Sequence, residues 1–340
     1  MTDSDREKYS RQILFDEVGE QGQQRLLESR AVIVGCGALG SFHAAALARA
    51  GVGSMVIIDR DYVEPSNLQR QWLFDESDAE QALPKAAAAA RRLAAINSSV
   101  RVEPCIVDLS AANAERLLLP ADVILDGCDN FETRYLINDL AIKHSIPWTY
   151  GAAVGSYGIT MPILPKRGAC LACIFPKPPG GVQPTCDTAG ILSSITAAIA
   201  ALQVADALKI MAGKTDAVQA RILTMDVWKS TVRTVSSERA DPDCTVCGRR
   251  QFQYLTDSRR RAATLCGRNA VQINERERPL DLAELQTTLE PLGTVRANDY
   301  ALRFICPPHE LTIFADGRAI VKGTDDIGVA RGLYSRYVGI

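Results

Sequence analysis

The chain has 340 residues, 23% of them charged, and a net charge of −2. That balance supplies no basic field for nucleic acid or an anionic membrane surface, 47% hydrophobic residues fit an ordinary globular protein, and the length allows one large domain and a small one, or two medium ones. The polar start MTDSDREKYSRQ has no signal-peptide core, so a cytoplasmic location is expected.

Taken in order, residues 4 to 29 read as one or two polar helices. AVIV (31–34) reads as a strand, Leu39 to Ala50 as a helix and SMVIID (54–59) as the next strand. PKAAAAARRLAAI is a helix, with Pro84 suited to its first turn. VRVEPCIV, ADVILDG and PWTYGA are strands separated by the helices AANAERLLL and NFETRYLINDLAIKHS. Strands alternating with helices predict an α/β fold, a doubly wound Rossmann-like sheet that is mainly parallel. SYGITMPIL, QARILTMD and TVRTVSS then continue it as antiparallel strands. The apolar run from about Gly190 to Met211 carries Gln203, Asp206 and Lys209 at helical spacing, which predicts a buried core helix rather than a membrane span. A polar stretch, SERADPDCTVCGRRQ, reads as a boundary. We expect one domain over 1–250 and a small α+β unit over 258–340 with the helices DLAELQTTLEPL and GVARGLYSRYVG, the strands ALRFIC, ELTIFA and RAIVKG, and a turn at Asp316-Gly317.

Gly35, Gly37 and Gly40 form a G-x-G-x-x-G turn directly after a strand and at the start of a helix, and Asp59 ends the following strand. That spacing suits a nucleotide: loop amides and a helix N-terminus for phosphate, a carboxylate for a ribose hydroxyl. The turn alone does not say which nucleotide. Asn67 and Arg70 follow Asp59 closely, Lys85 opens a helix, and Asp126 and Asp129 lie where open α/β sheets bind ligands. Singly, each of these reads equally well as a solvated loop or capping residue. Together, two cations and a carboxylate suit phosphate-ester chemistry, in which Arg and Lys neutralise charge and Asp holds Mg²⁺. An NAD-dependent oxidoreductase on the same fold explains the glycines and Asp59 but leaves Arg70, Lys85 and Asp129 without a task.

Ten cysteines stand against three scattered histidines, His43, His144 and His309, which read as structural or surface residues. Cys170 with Cys173 and Cys244 with Cys247 are two C-x-x-C pairs. Four thiolates make a closed structural Zn²⁺ site. Two independent redox pairs are the alternative, and zinc is favoured because neither pair opens a helix after a strand. Cys186 lies between a Pro/Gly-rich loop and the long helix, where a thiol near a helix N-terminus can be acidified. Cys36 and Cys128 read as packing residues, and Cys105, Cys266 and Cys306 as strand or turn residues.

YSRQ, GCGALG, IIDRDYVEPSNLQRQ, PK, DGCDN, the first CxxC, TCDTAGIL and the second CxxC occur in this order. The set resembles the ThiF/MoeB/HesA family, bacterial relatives of ubiquitin-activating enzymes, over about residues 6 to 250. The resemblance implies that Gly35, Gly37 and Gly40 cradle ATP phosphates and that Asp59 holds the ribose. It also implies that Asn67, Arg70 and Lys85 contact the phosphates, that Asp129 carries Mg²⁺, and that Arg11 enters the site of the other subunit of a homodimer. It supports zinc and makes Cys186 the position of an acceptor cysteine that only some members require. The implied reaction is adenylation of the C-terminal Gly-Gly carboxylate of a ubiquitin-like sulfur carrier of the thiamine or molybdopterin type, or, in a few relatives, of a short peptide. The C-terminal unit lacks the cysteine loop of a rhodanese, so a separate sulfur donor protein is expected.

Overall fold

Short apolar runs, each answered by a helix, build the parallel half of an eight-stranded sheet in the computed structural model. The structure describes residues 1–119, 121–178, 186–256, 262–265, 269–273, 280–298 and 300–339. The strands are β1 (Arg30–Val34), β2 (Ser54–Ile58), β3 (Arg101–Cys105), β4 (Val123–Asp126), β5 (Trp148–Val154), β6 (Tyr157–Ile163), β7 (Arg221–Asp226) and β8 (Thr231–Ser236). Their order is β3-β2-β1-β4-β5-β6-β7-β8. Pairing is parallel from β3 through β5 and antiparallel from β5 to β8. The chain leaves β1 toward β2 on one side and returns to β4 on the other, so the β1/β4 junction is the switch point at which such sheets bind ligands.

Both faces of the sheet are covered, which is why its inner strands are apolar at every position rather than at alternate ones. Ala31, Ile33, Met55, Ile57, Val123 and Leu125 pack with the helices Ala38–Ala50, Lys85–Ile96 and Ser193–Met211. Val32, Val34, Val56, Ile58 and Ile124 face Ala111–Leu118 and Phe131–His144 on the other side. The Ser193–Met211 helix is long and apolar enough to cross a membrane by length and composition alone. It is a core helix, with Ile195, Ile199, Ala207 and even Gln203 and Asp206 buried. Gly158 of β6 lets it close on the sheet, because a Cβ there would lie 2.4 Å from Ile199 Cγ1.

The N-terminus forms three short helices, Asp3–Lys8, Ser10–Ile13 and Gly19–Glu28, where one or two were expected. The break falls at Tyr9, which leaves helical geometry to bury its ring, with its hydroxyl accepting from Asn97 Nδ2 at 2.8 Å. Contacts divide the chain into Met1–Ser258 and Arg259–Ile340. The second unit is an antiparallel sheet in the order β11-β12-β13-β14-β10-β9. Its strands are β9 (Ala262–Leu265), β10 (Ala270–Ile273), β11 (Thr294–Ala297), β12 (Ala301–Cys306), β13 (His309–Phe314) and β14 (Ala319–Lys322). The helices Leu282–Leu289 and Ile327–Tyr337 supply Leu285, Leu289, Ala330 and Tyr334 to its core with Phe304, Leu311 and Val321. Gly317 at φ +86° makes the turn from β13 to β14.

Candidate functional site

The glycine turn sits at the switch point, and its three glycines answer to different demands. Gly35 has φ +86°, and a Cβ on it would meet Gly127 O at 2.5 Å. A Cβ on Gly40 would lie 1.7 Å from Gly35 O, so strand and helix could not meet. Packing dictates both. Gly37 has no such neighbour: the nearest heavy atom to a Cβ there is Gln71 Nε2 at 3.9 Å. Gly37 is also the N-cap of Ala38–Ala50, and no side chain caps that helix. An open glycine beside uncapped amides is a cradle that a Cβ would fill and that an anion fits.

The chain after β2 wraps around this loop. Asp59 is buried; its Oδ2 accepts from Cys36 N at 2.6 Å and its Oδ1 from Asp61 N at 2.7 Å, tying the loop to the β2 exit. Burial pushes its carboxyl up, and Lys85 and these amides oppose that. Lys85 is only 4% exposed, with Nζ 3.3 Å from Asp61 Oδ2 and its backbone N donating to Asp61 O at 2.9 Å. Asn67 ends the Pro65–Asn67 turn, buried, with Oδ1 accepting from Glu64 N at 3.1 Å. Arg70 lies half-buried and donates to Ser66 O at 2.8 Å. Gln71 is not singled out by the sequence, where nothing in its spacing sets it apart from the loop around it. It is 4% exposed, its amide lies nearest to Gly37, and its Oε1 finds no hydrogen-bond partner among the described residues. A buried orphan acceptor beside an open glycine fits a polar ligand or a bound water there.

The two aspartates after β4 separate. Asp126 is fully buried and paired with Arg134 Nε at 3.0 Å, so it does not face a ligand. Asp129 is exposed on the next loop, which lies against the glycine turn because Gly127 N donates to Val34 O at 2.8 Å. Arg11 is not brought to this site within one chain. Its neighbour Gln12 donates to Ala50 O at 2.9 Å, at the far end of the helix that starts beside Gly37. A helix of 13 residues spans about 20 Å. Cys186 opens the short helix Cys186–Ala189, and its side chain lies outside the described residues, as does Cys266. Cys36 is a buried thiol whose pKa burial pushes up, and Cys128 Sγ donates to Val34 O at 3.4 Å. His43 is buried with Nε2 3.0 Å from Gln203 Oε1.

The two C-x-x-C pairs, distant in sequence, converge. The sulfurs of Cys170, Cys173, Cys244 and Cys247 all lie within 4.8 Å of one another. Cys170 is 3.9 Å from Cys173 and 3.6 Å from Cys244, and Cys173 is 3.3 Å from Cys247. Sulfurs at about 2.3 Å from a tetrahedral zinc are about 3.8 Å apart, so the cluster fits Zn²⁺. The hydrogen bond from Cys170 brings the Cys173 thiol down to about 5, while burial pushes Cys247 up to about 12. Four sulfurs this close suit a cation that would hold them as thiolates.

Residues 9–246 match the model of the ThiF family. The chain is 44% identical to the sulfur carrier protein ThiS adenylyltransferase of Bacillus subtilis, over 98% of this chain and 99% of that protein. It is 40% identical to the SAMP-activating enzyme E1 of Haloferax volcanii, over 74% of this chain and 92% of that one. Among solved structures, E. coli MccB with MccA-N7isoASN shares the fold at a TM-score of 0.63 and 22% identity, covering 72% of this chain and 74% of that one.

Proposed function

Because the chain belongs to the ThiF family, we propose that it adenylates the C-terminal glycine carboxylate of a ubiquitin-like sulfur carrier of the ThiS type. The observation that carries this is the end-to-end likeness to the ThiS adenylyltransferase, which includes the C-terminal unit that the family model does not cover. Curated relatives named as adenylyltransferases do not favour the oxidoreductase alternative.

In this reading the carrier's carboxylate, ionised at neutral pH, attacks the α-phosphorus of ATP in line. The bond between the α-phosphorus and the bridging oxygen breaks, pyrophosphate leaves with the electron pair, and an acyl-adenylate remains. No general base is needed. The open amides around Gly37 receive phosphate oxygens, Asp59 holds the ribose, Asn67 contacts the phosphates through its amide, and Arg70 and Lys85 neutralise charge on the leaving pyrophosphate. Gln71 offers its amide beside the loop. Asp129 would hold Mg²⁺, which when bound neutralises phosphate oxygens. Arg11 is supplied by the second copy of a homodimer, which accords with its place about a helix length away from its own glycine turn. Cys186 is the acceptor position for the activated carrier. The cluster of Cys170, Cys173, Cys244 and Cys247 holds one structural zinc, and a separate protein donates sulfur. The reducing cytoplasm suits a chain with ten cysteines.

The test is ATP–pyrophosphate exchange with a ThiS-type carrier ending in Gly-Gly. Exchange should require the carrier and fall about 100-fold or more in Arg70→Ala, with unfolding unchanged. Exchange that survives this substitution, or calorimetric binding of NAD in preference to ATP, overturns the proposal.

A further inference from the structure

We propose that the buried Asp126–Arg134 pair is a clasp that positions Asp129, so that Arg134 acts in the adenylation reaction through the loop it holds rather than by touching substrate. This rests on Asp129 carrying Mg²⁺ in the reading above.

The pair grips two backbone segments, each from both sides. Asp126 Oδ1 accepts from Cys128 N at 2.8 Å, and Arg134 Nη2 donates to Cys128 O at 2.7 Å. Asp126 Oδ2 accepts from Gly151 N at 3.3 Å, and Arg134 Nη2 donates to Gly151 O at 3.0 Å. Arg134 Nε closes the pair onto Asp126 Oδ2 at 3.0 Å. The N–H and the C=O of Cys128, one residue before Asp129, are thus both held by the pair, which is itself anchored to Gly151 of β5. On the other side of Asp129, Asn130 caps the Phe131–His144 helix, its Oδ1 accepting from Thr133 N at 2.9 Å. Asp129 is the exposed residue between two pinned neighbours.

The chemistry of the pair fits positioning better than stability. Arg134 is 5% exposed and Asp126 is 0% exposed. A buried ion pair gains little over well-packed apolar residues of the same volume, so stability alone does not account for it. Only a planar guanidinium can serve a carboxylate and two carbonyls in fixed directions. Phe131 and Tyr150 hold that plane, their ring centroids each 5.3 Å from the Arg134 guanidinium. Gln203 completes the lock by donating to Asp126 O at 3.0 Å.

The experiment compares the full-length protein with Arg134→Lys, which keeps the charge facing Asp126 and loses the fork. In protein that keeps its zinc but has no Mg²⁺ added, amide hydrogen exchange over residues 127–131 should quicken about tenfold or more while the β1 and β2 amides keep their protection. In ATP–pyrophosphate exchange, half-saturating Mg²⁺ should rise about tenfold, with kcat at saturating Mg²⁺ changed far less. A folded Arg134→Lys protein with unchanged exchange over 127–131 and an unchanged Mg²⁺ requirement overturns the clasp. Should Arg134→Lys fail to fold, Phe131→Leu removes one wall of the stack; a rise of about threefold in the Mg²⁺ requirement supports the proposal and no change overturns it. A parent protein that shows no pyrophosphate exchange with any carrier defeats the adenylation reading instead. The exchange of residues 127–131 with solvent still decides the clasp in that case.

Discussion

At the scale of single residues, the glycine turn separates what the fold needs from what a ligand needs. Gly40→Ala places a Cβ 1.7 Å from a backbone carbonyl, and neither atom belongs to a flexible side chain. It should cost about 3 kcal/mol or more of stability, read as a lower denaturant midpoint. Gly37→Ala meets nothing nearer than 3.9 Å, so it should leave unfolding within about 1 kcal/mol of the parent. Calorimetry should instead show ATP affinity reduced about tenfold or more, because the methyl group fills the cradle. Equal destabilisation by the two substitutions would mean that Gly37 is a packing glycine like its neighbours. Gln71 belongs to the same argument. Gln71→Leu keeps the volume and removes the orphan acceptor, so the protein should melt no lower than the parent while ATP affinity falls. Weakened folding with full ATP affinity would assign Gln71 to the core instead.

At the scale of elements, the sequence was most legible where periodicity and punctuation agree. The alternation of strands with helices from Arg30 to Val154 follows the expected order, because the inner strands lie between helices and are almost wholly apolar. β9, β10 and β11 were not foreseen. β11 is four residues long and largely exposed, and β10 is four residues long and flanked by charged runs, so neither offers a period long enough to read. Among the candidate residues, Asp59 is tied to the glycine turn through Cys36 N and Lys85 lies beside Asp61, whereas Asp126, equally plausible on paper, turned inward to Arg134. Nothing in spacing could tell two aspartates three residues apart which one would find a buried arginine. The cysteine pairs were legible as a metal site only by motif, since the intervening strands that bring them together are a tertiary fact. That convergence makes a prediction. Elemental analysis should find one zinc per chain, and Cys247→Ser should lose it and lower the melting temperature by about 5–10 °C. A metal-free parent protein with an unchanged melt would leave the cluster as four packed thiols.

At the scale of the whole molecule, two buried groups in the first unit pull stability in opposite directions with pH. His43 is buried with Nδ1 lacking a hydrogen-bond partner among the described residues, and burial lowers its pKa from 6.5 to about 4. Between those values the unfolded chain binds a proton that the fold refuses, so His43 makes stability rise as pH goes from 4 to 6.5. Asp139 is buried with one oxygen accepting from Tyr254 N at 2.8 Å and the other without a partner among the described residues. Burial raises its carboxyl from 3.8 to about 7, so the fold holds a proton that the unfolded chain releases, and stability falls as pH rises from 4 to 7. Each effect is on the order of 3 kcal/mol, and over the shared window they nearly cancel. Removing one should therefore unmask the other. His43→Gln should be less stable than the parent by a margin that widens from pH 4.5 to 6.5. Asp139→Asn should gain on the parent over pH 4.5 to 7. All three tryptophans, Trp72, Trp148 and Trp228, lie in the first unit, so their fluorescence in denaturant reports the unit that holds both groups. Stability curves that run parallel to the parent's across this range for both variants would show that neither group changes its proton on folding.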